Sequence, residues 1–170
     1  MDLGDDDNAR FTEVVMPHLD DAYGLARWIT GNRADAEDVV QEACVRALRG
    51  IAGYSGGSSR AWVMTIVRNA AYDWLRRHRS VAVVPVEDLA EAAAAGDDPE
   101  AALIARADAA KLEAAIGALP AAFRDTMVLR DVQGLDYREI AAITGVPIGT
   151  VMSRLARARR RVIAMLGAKP

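Results

Sequence analysis

Five arginines, Arg154, Arg157, Arg159, Arg160 and Arg161, crowd into the C-terminal part of the chain with no carboxylate among them. A guanidinium is a planar fork of donors that pairs with a phosphate or with the acceptor edge of guanine. A carboxylate-free arginine face therefore suits a polyanion. A second group stands at Trp62, Arg68, Asn69, Tyr72, Arg76 and Arg79. Cations interleaved with aromatic and amide side chains suit stacking on, and hydrogen bonding to, unpaired bases. No Ser/His/Asp set, metal-ligand spacing or phosphate-cradling glycine loop accompanies either group, so the chemistry implied is binding rather than catalysis. Cys44 is the only cysteine, and His18 and His78 lie far apart. Neither a disulfide framework nor a metal cluster can be assembled from these, no cofactor is expected, and Cys44 reads as a small core residue.

The elements that must carry these groups are helices. Over residues 136–166 the pattern predicts two short helices and a tight turn. Asp136 stands at an N-cap position, with Glu139 three residues later to reach back to it. Ile140 and Ile143 form an apolar stripe, Gly145 ends the first helix, and Pro147 fixes a φ angle at the entry to the second. Turned at about 100° per residue, Val151, Leu155, Ala158 and Val162 fall on one side. Ser153, Arg157 and Arg160 fall opposite, flanked by Arg154 and Arg161. One greasy face and one arginine face behind a glycine turn is the build of a helix-turn-helix reader. It is also the build of an αα-hairpin with a solvated basic face, although arginines without interleaved glutamates favour the DNA reading. The helix predicted from Ser58 or Ser59 places Val63, Ile66, Val67, Ala70 and Trp74 on one side. Its other side collects Arg68, Asn69, Tyr72, Arg76 and Arg79, with Trp62 at the margin. Packing of Trp62 and Tyr72 on neighbouring helices is the competing account.

Net charge over the 170 residues is −3, which hides a segregation. Residues 1–59 carry −6, 60–79 carry +4, 80–110 carry −6, 111–144 carry −1 and 145–170 carry +6. Phosphate binding depends on local potential within about 10 Å at ordinary salt, so two basic islands matter more than the sum. Apolar content is 52% but aromatics are only 5%, which predicts small alanine-rich helical cores. No apolar run approaches about 18 residues and the first ten are acidic and polar, so neither a signal peptide nor a membrane span is expected and the protein is placed in the cytoplasm.

The expected fold is all-α, with two small helical domains joined by an acidic Ala/Pro-containing linker and the second ending in the helix-turn-helix. Residues 1–10 read as a flexible acidic terminus. Residues 11–30 are helical, with Pro17 near a start or kink. A helix capped by Asp35 follows, with Val40, Ala43, Ala47, Leu48 and Ile51 inward and Asp38, Gln41, Glu42, Val45 and Arg46 outward. That outer surface suits either plain solvation or a protein partner. Residues 53–59 form a Gly/Ser loop, 81–105 a linker of one or two helical turns at most, and 106–119 a helix stopped before Pro120. A further helix over 121–135 turns Phe123, Met127, Val128 and Val132 inward and stops at Gly134.

Three stretches in order, DAEDVVQEACVRAL, RAWVMTIVRNAAYDWLRR and ALPAAFRDTMVLRDVQGLDYREIAAITGVPIGTVMSRLARARRR, resemble the extracytoplasmic-function sigma factors of bacterial RNA polymerase. The resemblance covers about residues 11–166. It implies a region 2 domain at 11–80 and a region 4 domain at 106–168. It further implies that Asp38, Gln41, Glu42 and Arg46 meet the clamp helices of core RNA polymerase. Tyr54, Ser58, Arg60, Trp62, Arg68, Asn69, Tyr72, Arg76 and Arg79 would open and hold the promoter −10 element. Thr150, Met152, Ser153, Arg154, Ala156, Arg157 and Arg160 would meet the −35 element, with Thr150, Arg154 and Arg160 nearer phosphates. The capture loop is uncharged, and Met152 and Ala156 replace basic or larger residues of some relatives. The −35 preference is therefore expected to lean on Arg157, Ser153 and DNA shape. An anti-sigma factor is a further implied partner. A conventional helix-turn-helix regulator would leave the 60–79 island without a task, and a protein adaptor would leave both arginine faces unexplained.

Overall fold

Small side chains decide how closely the helices of the first half approach one another. In a computed structural model, residues 5–78 and 99–167 are described. The first half consists of α1 (Asp5–Val14), α2 (Leu19–Thr30), α3 (Arg33–Gly50) and α4 (Ser59–His78). Helices α2, α3 and α4 pack pairwise, and Ala22, Ala26, Ala36, Ala43, Ala47, Ala70 and Ala71 are buried between them around Leu25, Val39, Met64 and Val67. Alanine needs no rotamer ordering and lets backbones come close, so the aromatics Phe11, Tyr23, Trp28 and Trp74 pack at the margin of this core rather than inside it.

The local signals account for most boundaries and miss two. Gly31 takes φ 85° and closes α2 with a bond from its N–H to the Arg27 carbonyl. The next cap is Asn32, not Asp35: its side chain accepts the Asp35 N–H at 2.8 Å, so α3 starts three residues earlier than expected. Asp35 instead takes the Asn32 amide at 2.7 Å as the reciprocal partner. Residues 5–10, expected to be flexible, begin α1, where the Arg10 guanidinium reaches the Tyr54 carbonyl.

The second half comprises α5 (Pro99–Gly117), α6 (Ala121–Met127), α7 (Tyr137–Thr144) and α8 (Ile148–Met165). Helix α5 takes in residues 99–105, which the sequence had assigned to the linker; Pro99 at its first position is compatible with a helix start. Residues 81–98 of that linker, with Arg79, lie outside the described residues. Helix α6 continues as a π-helical turn, Val128–Val132. The extra residue in that turn rotates Val132 outward to 53% exposure and places Leu129 and Leu135 in the core instead, which corrects the inward assignment of Val132. The helix-turn-helix forms as the pattern predicts. Asp136 and Glu139 complete a capping box, Gly145 takes φ 69°, and Val151, Leu155, Ala158 and Val162 are all buried. Among the described residues there is no strand.

The halves are packed against each other. Helix α7 lies on α4, and α6 with its π-turn touches α2, so one apolar cluster runs through both.

Candidate nucleic-acid interface

Helix α8 is anchored by its buried stripe and by two of its own arginines. Arg159 makes a fork to Asp131 at 2.9 and 2.6 Å, and Arg161 lies 4.8 Å from the centroid of Phe123 on α6. Hydrogen bonding to Asp131 raises the Arg159 pKa further above its ordinary range. These two arginines therefore brace the helix. The outward face keeps Met152, Ser153, Ala156, Arg157 and Arg160 exposed, and Arg157 and Arg160 make no ion pair among the described residues. Thr150 and Arg154 are half-buried at its flank, with the Ser153 hydroxyl turned to the Thr150 carbonyl at 3.1 Å.

On α4 the burial is two-sided. Val63, Met64, Val67 and Ala70 face the first half's core, while Arg68 and Tyr72 face the second half. Arg68 donates from Nε to Asp125 at 3.0 Å, and the Tyr72 hydroxyl donates to the same carboxylate oxygen at 2.6 Å. Burial, then the charge and hydrogen bond of Asp125, pushes the Tyr72 phenol up to about 12, so it remains a protonated donor. Arg60 binds Asp21 at 2.7 Å and the Gln133 carbonyl at 2.6 Å. Asn69 and Arg76 stay exposed, Arg76 paired with Asp73. The loop before α4 is held by its aromatics: Tyr54 meets Trp62 at 5.1 Å and donates its hydroxyl to the Gly57 carbonyl at 2.8 Å. Ser58 caps α4 through the Ala61 N–H at 3.1 Å.

On α3, Asp38, Gln41 and Val45 are exposed, but Glu42 and Arg46 are half-buried in a network with α4. Arg46 binds Asp73 at 2.6 Å and pairs with Glu42, which also takes Arg77 at 2.5 Å. Burial pushes Glu42 up, yet the hydrogen bonds from Arg77 and Arg46 outweigh it and leave its pKa below the ordinary 4.5. Asp73 is lowered chiefly by its bond from Arg46. Cys44 is half-buried beside Val40 and Ala43, and desolvation raises its thiol pKa.

The side chains missed from the sequence are the acceptors of the second half. Asp125 stands three and four residues before buried Val128 and Leu129, in the register of an apolar face, and that misplaced carboxylate was the available signal. Asp21 and Gln133 carry no local signal of their roles, and the capping box that places Glu139 gives no sign of its bond from Ser58.

A two-lobed, all-helical protein whose second lobe ends in a helix-turn-helix with an exposed arginine face is the class these features define. Residues 14–81 match the family model for Sigma-70 region 2, and residues 109–162 match that for Sigma-70, region 4. The chain is 37% identical over 151 residues to the ECF RNA polymerase sigma factor SigE of Mycolicibacterium smegmatis, covering 88% of this chain and spanning 59% of that protein's length. It is 32% identical over 162 residues to the ECF RNA polymerase sigma factor SigM of Mycobacterium tuberculosis, covering 95% and 79% respectively. Among solved structures, the sigma factor RpoE in complex with the anti-sigma factor NepR from Bartonella quintana matches with a TM-score of 0.76 at 28% identity over 94% of this chain and 98% of that one. CnrH in complex with the cytosolic domain of CnrY matches at 0.67 and 26%, over 94% and 89%. The chain belongs to the sigma-70 family, among the extracytoplasmic-function (ECF) sigma factors.

Proposed function

We propose that this chain is a promoter-specificity subunit that binds core RNA polymerase and directs initiation at promoters with −35 and −10 elements. The observation that carries the reading is α8, whose buried stripe leaves Met152, Ser153, Ala156, Arg157 and Arg160 facing outward, in a chain matched by both sigma-70 regions. In this reading residues 11–80 are the −10 and polymerase-binding domain, and 106–168 the −35 domain. Arg157 and Ser153 meet base edges in the major groove, while Thr150, Arg154 and Arg160 hold phosphates.

Tyr54, Ser58, Arg60, Trp62, Arg68, Asn69, Tyr72, Arg76 and Arg79 act on the opening −10 strand. Unstacking a base costs a few kcal/mol, and stacking on an aromatic returns about 1–3 kcal/mol, which is the right size to hold it out. Asp38 and Gln41 meet polymerase directly. Glu42 and Arg46 set the angle of α3 against α4 and form the edge of that surface. The chain performs no chemistry of its own, and its work is cytoplasmic; among the described residues no helix is long and apolar enough to cross a membrane. RpoE is bound to an anti-sigma factor in its structure, and the likeness supports a partner of that kind for this chain.

The test is core-dependent transcription from a genomic promoter pool. Promoter-specific transcripts on adding the purified chain are expected; none above core alone would sink the reading.

A further inference from the structure

The loop between α3 and α4 begins at Tyr54, and Trp62 follows it on the first turn of α4. The residues between the two rings give them no rigidity of their own. Gly56 and Gly57 take φ 101° and 92°, a region that glycine alone enters freely, and a Ser-Gly-Gly segment has many shapes open to it. The loop is nevertheless tied at both ends. At its far end His18 Nε2 lies 2.9 Å from the Ser59 hydroxyl. At its near end the tie comes from α1.

Arg10 of α1 reaches across 44 residues to Tyr54 in two ways. Its Nη2 donates to the Tyr54 carbonyl, and its Cζ stands 5.9 Å from the centroid of the Tyr54 ring. The first contact fixes the backbone at the head of the loop, and the second favours one orientation of the ring. Tyr54 passes that order on. Its hydroxyl donates to the Gly57 carbonyl at 2.8 Å, which closes residues 54–57 into a cycle, and its ring meets Trp62 at 5.1 Å with a tilt of 47°. Trp62 in turn has the end of α3 behind it, where a Cβ added at Gly50 would lie 3.7 Å from its ring. The helix carrying Arg10 is anchored by other residues: Val14 is buried, and Phe11 packs on the same core. Changing Arg10 therefore releases the loop and leaves α1 seated.

Resting on the sigma-factor reading above, we propose that Arg10 is a positioning residue for capture of the −10 strand. It makes no contact with DNA. Through Tyr54 it holds the Tyr54–Trp62 pair and the 54–57 loop in the shape that receives an unpaired base. Side chains ordered in advance need no ordering when the strand arrives, and releasing one such ring lowers strand affinity by about two- to tenfold. Residue 10, at the end of the stretch expected to be a flexible terminus, thereby takes part in promoter opening.

The experiment uses the full chain with 5-fluorotryptophan at its three tryptophans, the Trp62 resonance being assigned by its loss in Trp62→Phe. Arg10→Met keeps a long stem and a good helix former while removing donors and charge. Arg10→Lys keeps the charge and a donor, and Glu13→Ala changes an exposed residue of the same helix. All three are checked for an intact helical spectrum. In Arg10→Met the Trp62 resonance is expected to move toward its position in the unfolded chain while those of Trp28 and Trp74 stay; Arg10→Lys falls between, and Glu13→Ala matches the wild type. A fluorescent mixed-sequence DNA strand of about 12 nucleotides should bind Arg10→Met about two- to tenfold more weakly, with the salt slope unchanged. With core polymerase, on promoters that the wild-type chain opens, Arg10→Met should keep duplex binding and lose permanganate reactivity of the opened thymines. An unmoved Trp62 resonance in folded Arg10→Met overturns the proposal, and so does a moved resonance without weaker strand binding. A salt slope lowered by about one also overturns it, since that marks Arg10 as a phosphate contact. Equal loss of duplex binding and opening does so too, since that marks general damage. Absence of core-dependent transcripts from the wild-type chain sinks the sigma reading, while the fluorine and strand measurements need no polymerase and still decide whether Arg10 holds the loop.

Discussion

Arg68 and Asp125 should be coupled, so that replacing both costs less than the sum of the two single losses. At 3.0 Å, two unit charges attract by about 5–6 kcal/mol at an effective dielectric of 20. Against this stands the desolvation of a carboxylate that is 1% exposed, a cost of several kcal/mol, and screening of Arg68, whose side chain is 21% exposed. The net coupling expected from a double-mutant cycle is about 1–2 kcal/mol. Arg68→Ala should be the costlier single change, about 2–3 kcal/mol. It leaves the buried charge with Tyr72 as its hydrogen-bond donor and Arg124 at 3.6 Å. Asp125→Asn should cost about 1 kcal/mol, because the amide keeps the shape and retains an acceptor for Tyr72. All three tryptophans, Trp28, Trp62 and Trp74, lie in the first half. Urea unfolding followed by their fluorescence therefore reads the stability that the docked second half lends to the first. Additivity of the two single losses within about 0.3–0.5 kcal/mol would refute the reasoning, since it means that the pair, and with it the contact between the halves, is not formed in solution.

Arg157→Ala is expected to weaken −35 binding by about 1–3 kcal/mol and relax preference at one position, whereas Arg160→Ala should weaken all sequences alike and lower the salt slope by about one. Binding titrations across single-base promoter variants at several salt concentrations separate the two roles, and identical profiles for both would count against the assignment. Leu155, 2% exposed, should lose about 2–5 kcal/mol on truncation to alanine, seen as early melting of the second half; a loss under about 1 kcal/mol would mean that α8 is not seated on that stripe. The α3–α4 network makes stability depend on acid pH. Glu42 and Asp73 have folded pKa values below their ordinary 4.5 and 3.8, so their contribution is complete above those values and fades as pH falls below them. Glu42→Gln should therefore flatten the fall in melting temperature below about pH 4.5 while costing stability at neutral pH. An acid limb as steep as the wild type's would show that Glu42 is not the group responsible.

Residues close in sequence determined what was legible in advance. The capping box of Asp136 and Glu139, the left-handed Gly145 and the Val151, Leu155, Ala158, Val162 stripe are all relations of three or four residues. Helical periodicity alone places them, and the helix-turn-helix came out as read. The charge islands were legible for the same reason, being properties of a composition window. Where two local signals competed, tertiary contacts or backbone geometry decided. Asn32 outranked Asp35 as the cap because Gly31 had already turned the chain there, and the π-turn after Met127 carried Val132 to the surface by shifting the register one residue.

The occupancy of the arginines belongs to the tertiary structure. The 68–125 pair joins residues 57 apart, and the Gln133–Asp21 bond joins residues 112 apart. Nothing in the periodicity of α4 distinguishes a face turned to solvent from one turned to a second lobe. That arginine-rich helices suit a polyanion was written into residue type and spacing. Which of those arginines are free to do so, and that a carboxylate of the same chain already holds one of them, follows only from how the two halves dock.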